Sequence, residues 1–125
     1  MENIEIKFDT KVEKYLRKLE NSSKNEDIEL LAEIFRTLEL LKKLGTSLGS
    51  PYSKIIKGYK YKNISLRELR IKSHVQLRIF YFIKNNVIFI LFDYNIKKTQ
   101  KFGSTILDPI FRKMKRIINE MEEST

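Results

Sequence analysis

From Asn3 to Phe8 the chain alternates, with Ile4, Ile6 and Phe8 apolar and Asn3, Glu5 and Lys7 polar between them. A period of two predicts a short strand with one buried face. The period then lengthens: Val12, Tyr15, Leu16 and Leu19 stand at helical spacing after a capping Asp9 or Thr10, and the polar run NSSKN ends that helix. A second helix is predicted from about Asn25 to Leu44, with Ile28, Leu31, Ile34, Phe35, Leu38 and Leu41 as its apolar stripe and Gly45 as its stop. Two helices joined this closely form a hairpin able to cover one face of a sheet.

Residues 45–63 hold three of the four glycines and one of the two prolines, and read mostly as loop. Three strands follow in succession, Leu66 to Lys72, Gln76 to Ile83 and Val87 to Tyr94. Asn85 and Asn86 suit a two-residue hairpin turn, because asparagine tolerates positive φ. A last helix is expected over Asp108 to Glu122, with Asp108 as N-cap, Pro109 at the first helical position, and Ile110, Phe111, Met114, Ile117, Ile118 and Met121 as its stripe. The order β-α-α-β-β-β-α is an α+β domain, and residues 1–125 suit one domain with a single core.

Period two also assigns the charges within the strands. Arg78 shares a face with Phe80 and Phe82, and Arg70 shares a face with Leu66 and Glu68, whereas Leu69, Ile71, Leu77 and Ile79 make the better core face. If the turn around His74 has three residues, Arg70 stands directly opposite Arg78, whereas a two-residue turn would put them on opposite faces; a two-residue turn at Asn85 and Asn86 sets Arg78 opposite Asp93. The expected cluster is Arg70, Arg78 and Asp93 on the open face, floored by Phe80, Phe82, Phe89 and Leu91. Like charges opposite each other destabilise a sheet. Two guanidinium forks holding a phosphate would offset that cost; the competing reading is that Asp93 and Glu68 neutralise the arginines as cross-strand ion pairs.

Composition narrows the chemistry. The chain has no cysteine, which excludes disulfides, thiolate zinc sites and a cysteine nucleophile. Residues 1–50 hold 9 basic and 10 acidic side chains, against 16 and 6 in residues 51–125, so the entire excess of the +9 net charge lies in the second part. Such a field attracts polyanions, nucleic acid first, with an acidic protein as the rival. In PYSKIIKGYKYKN, Tyr52, Tyr59 and Tyr61 alternate with Lys54, Lys57, Lys60 and Lys62, pairing stacking faces with phosphate-holding cations. The bland alternative is a solvated loop whose tyrosines pack on the core. Lys97, Lys98 and Lys101 follow the last strand and can reach the same face. No apolar leader opens the chain and no apolar run is long enough to span a membrane, so the expected compartment is the cytoplasm. No cluster of acidic residues suggests a metal, and no cofactor is expected.

The segments LRELRI (66–71), LRIFYFI (77–83), VIFILF (87–92) and KKTQK (97–101), with LGSPYSKIIKG upstream, resemble the HigB-like branch of the RelE/ParE toxin superfamily, the toxin halves of bacterial type II toxin–antitoxin pairs. The resemblance covers about residues 48 to 101 and extends to the order of the N-terminal elements. Similar toxins often carry histidine where this chain has Asp93, tyrosine at Leu77, and Thr-Pro where it has Phe102 and Gly103. The resemblance implies a small antiparallel-rich sheet packed on an N-terminal helical hairpin. It further implies an endoribonuclease that cleaves mRNA on the ribosome without a metal and is silenced by a cognate antitoxin, a helix-turn-helix protein that binds DNA as the complex.

RNA cleavage needs the 2′-OH deprotonated, the phosphorane stabilised and the 5′-oxygen protonated. Arg70 and Arg78 suit the phosphate, and Lys97 and Lys98, or Lys54 and Lys57, are candidates for the base. Lys60, Tyr61, Lys62 and Lys101 are candidate RNA contacts. Asp93 is either a salt-bridge partner or an acid–base group, and His74, the single histidine, is an acid–base candidate because the ordinary imidazole pKa lies near neutrality, although it is expected in an exposed turn away from the arginines. Within the superfamily a ParE-like gyrase inhibitor is the alternative; outside it, a non-catalytic RNA-binding module.

Overall fold

The computed structural model describes residues 3–98 and 102–124 and builds one five-stranded sheet. Along the chain the elements are β1 (Glu5–Phe8), α1 (Thr10–Glu20), α2 (Asn25–Leu44), β2 (Ser53–Tyr61), β3 (Ile64–Lys72), β4 (Gln76–Lys84), β5 (Ile88–Ile96) and α3 (Ser104–Glu123). Strand order is β1-β5-β4-β3-β2, with β1 parallel to β5 and every other pair antiparallel. The α+β architecture and the N-terminal hairpin are as the periodicities predict.

Alternation gives each central strand two apolar faces, and each face has its own helical cover. Leu69, Ile71, Leu77, Ile79, Tyr81, Phe89 and Leu91 pack with Val12, Leu16 and Leu19 of α1 and with Leu30, Ile34, Leu38 and Leu41 of α2. Leu66, Phe80, Phe82, Ile90 and Phe92 pack under Leu107, Ile110, Met114 and Ile118 of α3. The expectation of a single core and an open arginine face is therefore corrected. Phe80, Phe82 and Phe92 could not remain in water on a free sheet face, and α3 buries them completely. Within α2 the buried stripe is Leu30, Ile34, Thr37, Leu38 and Leu41, leaving Ile28 and Phe35 exposed. Apolar side chains surround much of that helix, so its periodicity did not single out the face that packs.

Three further boundaries differ from expectation. Helix α3 starts at Ser104 rather than after Asp108, and Pro109 lies inside it. The earlier turn brings Leu107 into the core, which compensates for the amide donor that Pro109 lacks. The β4–β5 turn includes Val87 as well as Asn85 and Asn86, because Lys84 pairs with Ile88. Both asparagines do adopt positive φ, 55° and 63°. One extra turn residue inverts facing parity, so Phe89 and Leu91 join the α1/α2 core instead of flooring the arginines. A register shift beyond them sets Phe80 opposite Asp93 and Arg78 opposite Asn95.

The segment expected as loop contains β2, paired with β3 along the sheet edge. Its irregularity explains the misreading: Ile55 faces Arg67 and Lys60 faces Ser65, so Ile56 to Tyr59 bulge opposite Leu66 alone. Gly58, at φ 92°, lies inside this bulge. A bulge bends its strand and re-aims its side chains.

Candidate anion-binding cleft

The three-residue turn Ser73–Val75 sets the β3–β4 register, and Arg70 stands directly opposite Arg78. Glu68, two residues before Arg70 and on the same face, lies between the two charges. Arg70 donates to Glu68 Oε1 from Nε at 3.3 Å and from Nη2 at 3.1 Å. Arg78 Nε lies 3.5 Å from Glu68 Oε2, close enough for charge attraction. Arg78 also donates to the Leu77 carbonyl at 3.2 Å and reaches Gln76 Oε1 at 3.5 Å. Among the described residues its Nε has no hydrogen-bond partner. Burial lowers the Arg78 pKa, Glu68 opposes that shift, and Arg70 adds to it.

The two arginines differ in reach. Arg78 is 3% exposed, whereas the Arg70 side chain keeps 23% of its surface. The symmetric two-fork clamp expected over an open face is not built. Arg70 lines a cleft of about 640 Å³ together with Glu68, Lys54, Lys57 and Lys97, while Arg78 sits behind Glu68. The competing ion-pair reading is half right: Glu68 pairs with both arginines, and Asp93 pairs with neither.

Asp93 instead accepts from Lys11 Nζ at 2.6 Å and from the Tyr94 amide at 2.8 Å, which ties β5 to the start of α1. The register shift that moved Arg78 opposite Asn95 removed Asp93 from the cluster. His74 is exposed in the β3–β4 turn, and its Nε2 lies 3.9 Å from Glu26 of α2. Helix α2 covers the sheet face opposite the cleft, so His74 is apart from the arginines, as its turn position implied.

Lys97 enters the cleft directly after β5, its backbone amide donating to the Gln76 carbonyl at 2.8 Å. Burial lowers its pKa, Arg78 lowers it further, and Arg70 and Lys54 act in the same sense against the attraction of Glu68. Lys98 is exposed and is not among the cleft residues. Lys101 lies outside the described residues.

The tyrosine and lysine run divides. Lys54 and Lys57 line the cleft, and Lys60 is exposed on β2. Tyr61 and Lys62 are engaged by α3: the tyrosine hydroxyl donates to Asn119 Oδ1 at 2.8 Å, and Lys62 Nζ donates to Asn119 at 3.3 Å and to Glu122 at 2.7 Å. These contacts fasten the bulged edge strand to the helix. Tyr59, singled out with that run, also lines the cleft, and residues not singled out from sequence complete it: Ile56, Phe102, Ser104 and Leu107. Their signal was weak, since strand parity says nothing about a helix 40 residues later that closes over the sheet.

A cationic cleft with one buried carboxylate can hold a phosphodiester by charge-assisted bonds. It can also move protons, because its lysine is biased toward the neutral form. No group of three or more His, Asp or Glu among the described residues is arranged to hold a metal ion. No described helix is long and apolar enough to cross a membrane. The sequence matches the family described as Phage derived protein Gp49-like (DUF891) over residues 14–115. No curated protein sequence matches the chain.

Proposed function

The chain belongs to the Gp49-like family of phage-derived proteins, a RelE/HigB-like family associated with the toxins of toxin–antitoxin systems, and from that premise we propose that it is an mRNA endoribonuclease. In this reading it is a HigB-like toxin that stops translation by cutting mRNA on the ribosome, in the cytoplasm, until a cognate antitoxin neutralises it. The observation that carries the proposal is the convergence of Arg70, Lys54, Lys57 and Lys97 on one cleft beside Glu68.

Cleavage proceeds by attack of a ribose 2′-oxygen on the adjacent phosphorus. The O2′–P bond forms and the P–O5′ bond breaks, leaving a 2′,3′-cyclic phosphate and a free 5′-hydroxyl. Lys97, neutral in its reactive form, takes the 2′ proton; protonated Lys54, reaching in from β2, returns a proton to O5′. Arg70 bears on the phosphorane, where negative charge peaks and a preorganised cation contributes most. Arg78 acts through Glu68 as a positioning residue: it holds the carboxylate that orients the Arg70 fork. The ribosome supplies what the cleft does not, an mRNA strand held in an attack-ready conformation.

An in vitro translation reaction with purified protein tests this. Site-specific mRNA cuts ending in cyclic phosphate are expected, and Arg70→Ala or Lys97→Met, with unchanged circular dichroism, should abolish them. Intact mRNA with inhibited gyrase supercoiling would assign a ParE-like activity instead, and RNA binding without cleavage would leave only a binding module.

A further inference from the structure

The cleft is lined by two chemically different sets of side chains. One set is charged, Lys54, Lys57, Glu68, Arg70 and Lys97; the other, Ile56, Tyr59, Phe102 and Leu107, is apolar or aromatic. A phosphodiester needs only the first. We infer that the second is a nucleobase subsite, filled by the base of the nucleotide whose phosphate rests on Arg70. This rests on the RNA reading above and adds to it a ligand group and the residues that hold it.

The walls are set before anything binds. The Tyr59 hydroxyl donates to Asp108 Oδ1 at 2.8 Å, and its ring meets Phe111 edge-to-face at 5.3 Å. Phe102 leans on Phe80 at 5.8 Å, with Lys97 Nζ 5.9 Å from its ring centre. Both rings are half-buried, fixed on one side and open to the cleft. Aromatic groups immobilised in this way stack a base without a further ordering cost. A base cannot lie far from its own phosphate, so the base of a phosphate held by the cations lies against these walls or remains in water. The cleft volume, about 640 Å³, leaves room for a base beside the phosphate.

The same walls decide how the base is selected. Among the described residues, Ser104 is the polar side chain that lines the cleft beside these walls, and the Tyr59 hydroxyl is already committed to Asp108. Among the described residues, nothing beside these walls offers the paired donors and acceptors that read a base edge. Selection therefore follows stacking area, and purines are favoured over pyrimidines without a strict sequence code.

Binding of uncleavable 2′-deoxy trinucleotides, measured by calorimetry against an abasic deoxyribose phosphate with the same number of phosphates, tests the inference. The adenine ligand should bind about tenfold more tightly than the abasic one, and the thymine ligand should fall between them. Phe102→Ala should erase the difference while leaving abasic affinity intact, and Phe102→Tyr should retain it. Equal affinity for adenine and abasic ligands, or an equal loss of both in Phe102→Ala, overturns the subsite. Tight adenine binding with no abasic binding would uphold the subsite and defeat the phosphate reading instead. Failure of every ligand to bind would defeat both.

Discussion

Beneath the cleft, Glu68 accepts from Arg70 with one oxygen and faces Arg78 with the other. Removing one member of a buried ion cluster strands the rest, at a cost of about 3–5 kcal/mol. Glu68→Gln should therefore lower urea-measured stability by about that amount, and the double variant Glu68→Gln/Arg78→Met should recover much of it, because no buried charge is left alone. Lys97 carries the pH dependence. Its folded pKa is depressed, so the folded state releases the Lys97 proton at a lower pH than the unfolded chain does. Its destabilising contribution is full below the folded pKa and disappears as pH rises through the ordinary lysine value. As the base, it should give cleavage an ascending pH limb below that value. Arg78→Met removes a neighbouring cation and should move the limb to higher pH, whereas Glu68→Gln should move it lower; a limb that ignores both changes would exclude Lys97 as the base. Arg70 and Arg78 were legible as a candidate pair, because strand parity left only the length of one turn to decide it, and the three-residue turn of the structure does so. That only one of them reaches the cleft was not, because exposure depends on what lies above the sheet.

At the scale of elements, the β2 bulge and α3 together make the cleft. Gly58 stands at φ 92° with open space around it, so a methyl group meets no clash and only backbone strain opposes it. Gly58→Ala should cost about 1 kcal/mol in chemical denaturation and should weaken RNA binding if the bulge relaxes and Lys57 withdraws. Met114 is fully buried between α3 and the sheet. Met114→Ala should cost about 2–5 kcal/mol, read as a lowered melting temperature. Helices α1 and α2 were legible from their period, as were the three central strands. Strand β2 was not, because four bulged residues opposite one break the alternation that announces a strand, and Gly58 with the basic residues around it reads as loop. Helix α3 was legible in its apolar stripe and misplaced at its start, where Asp108-Pro109 imitates a helix beginning.

Over the whole molecule, the acidic and basic parts of the chain have separate positions. The first 50 residues, net −1, form the hairpin on one face; the remainder, net +10, supplies the cleft on the other. RNA affinity should accordingly fall with salt. With three of the cleft cations on phosphates, a plot of log K against log salt should slope by about −2, and Lys57→Ala should flatten it by about 0.7. Glu29→Ala, on the far helix, should leave the slope unchanged, and fluorescence titration at several salt concentrations checks both.

The sequence by itself determined the α+β class, the helical hairpin, the strand parity that lets Arg70 and Arg78 pair and the basic character of the second part, since each follows from local period or composition. Tertiary structure alone decided that α3 covers Phe80 and Phe82 and that Arg78 is buried beside Glu68. It also decided that Asp93 turns to Lys11, and that Tyr59 and Phe102 meet the cations in one cleft. The division has a physical reason. Periodicity records which side chains avoid water, and avoidance is satisfied by any apolar cover; which segment supplies that cover depends on packing between residues far apart in the chain.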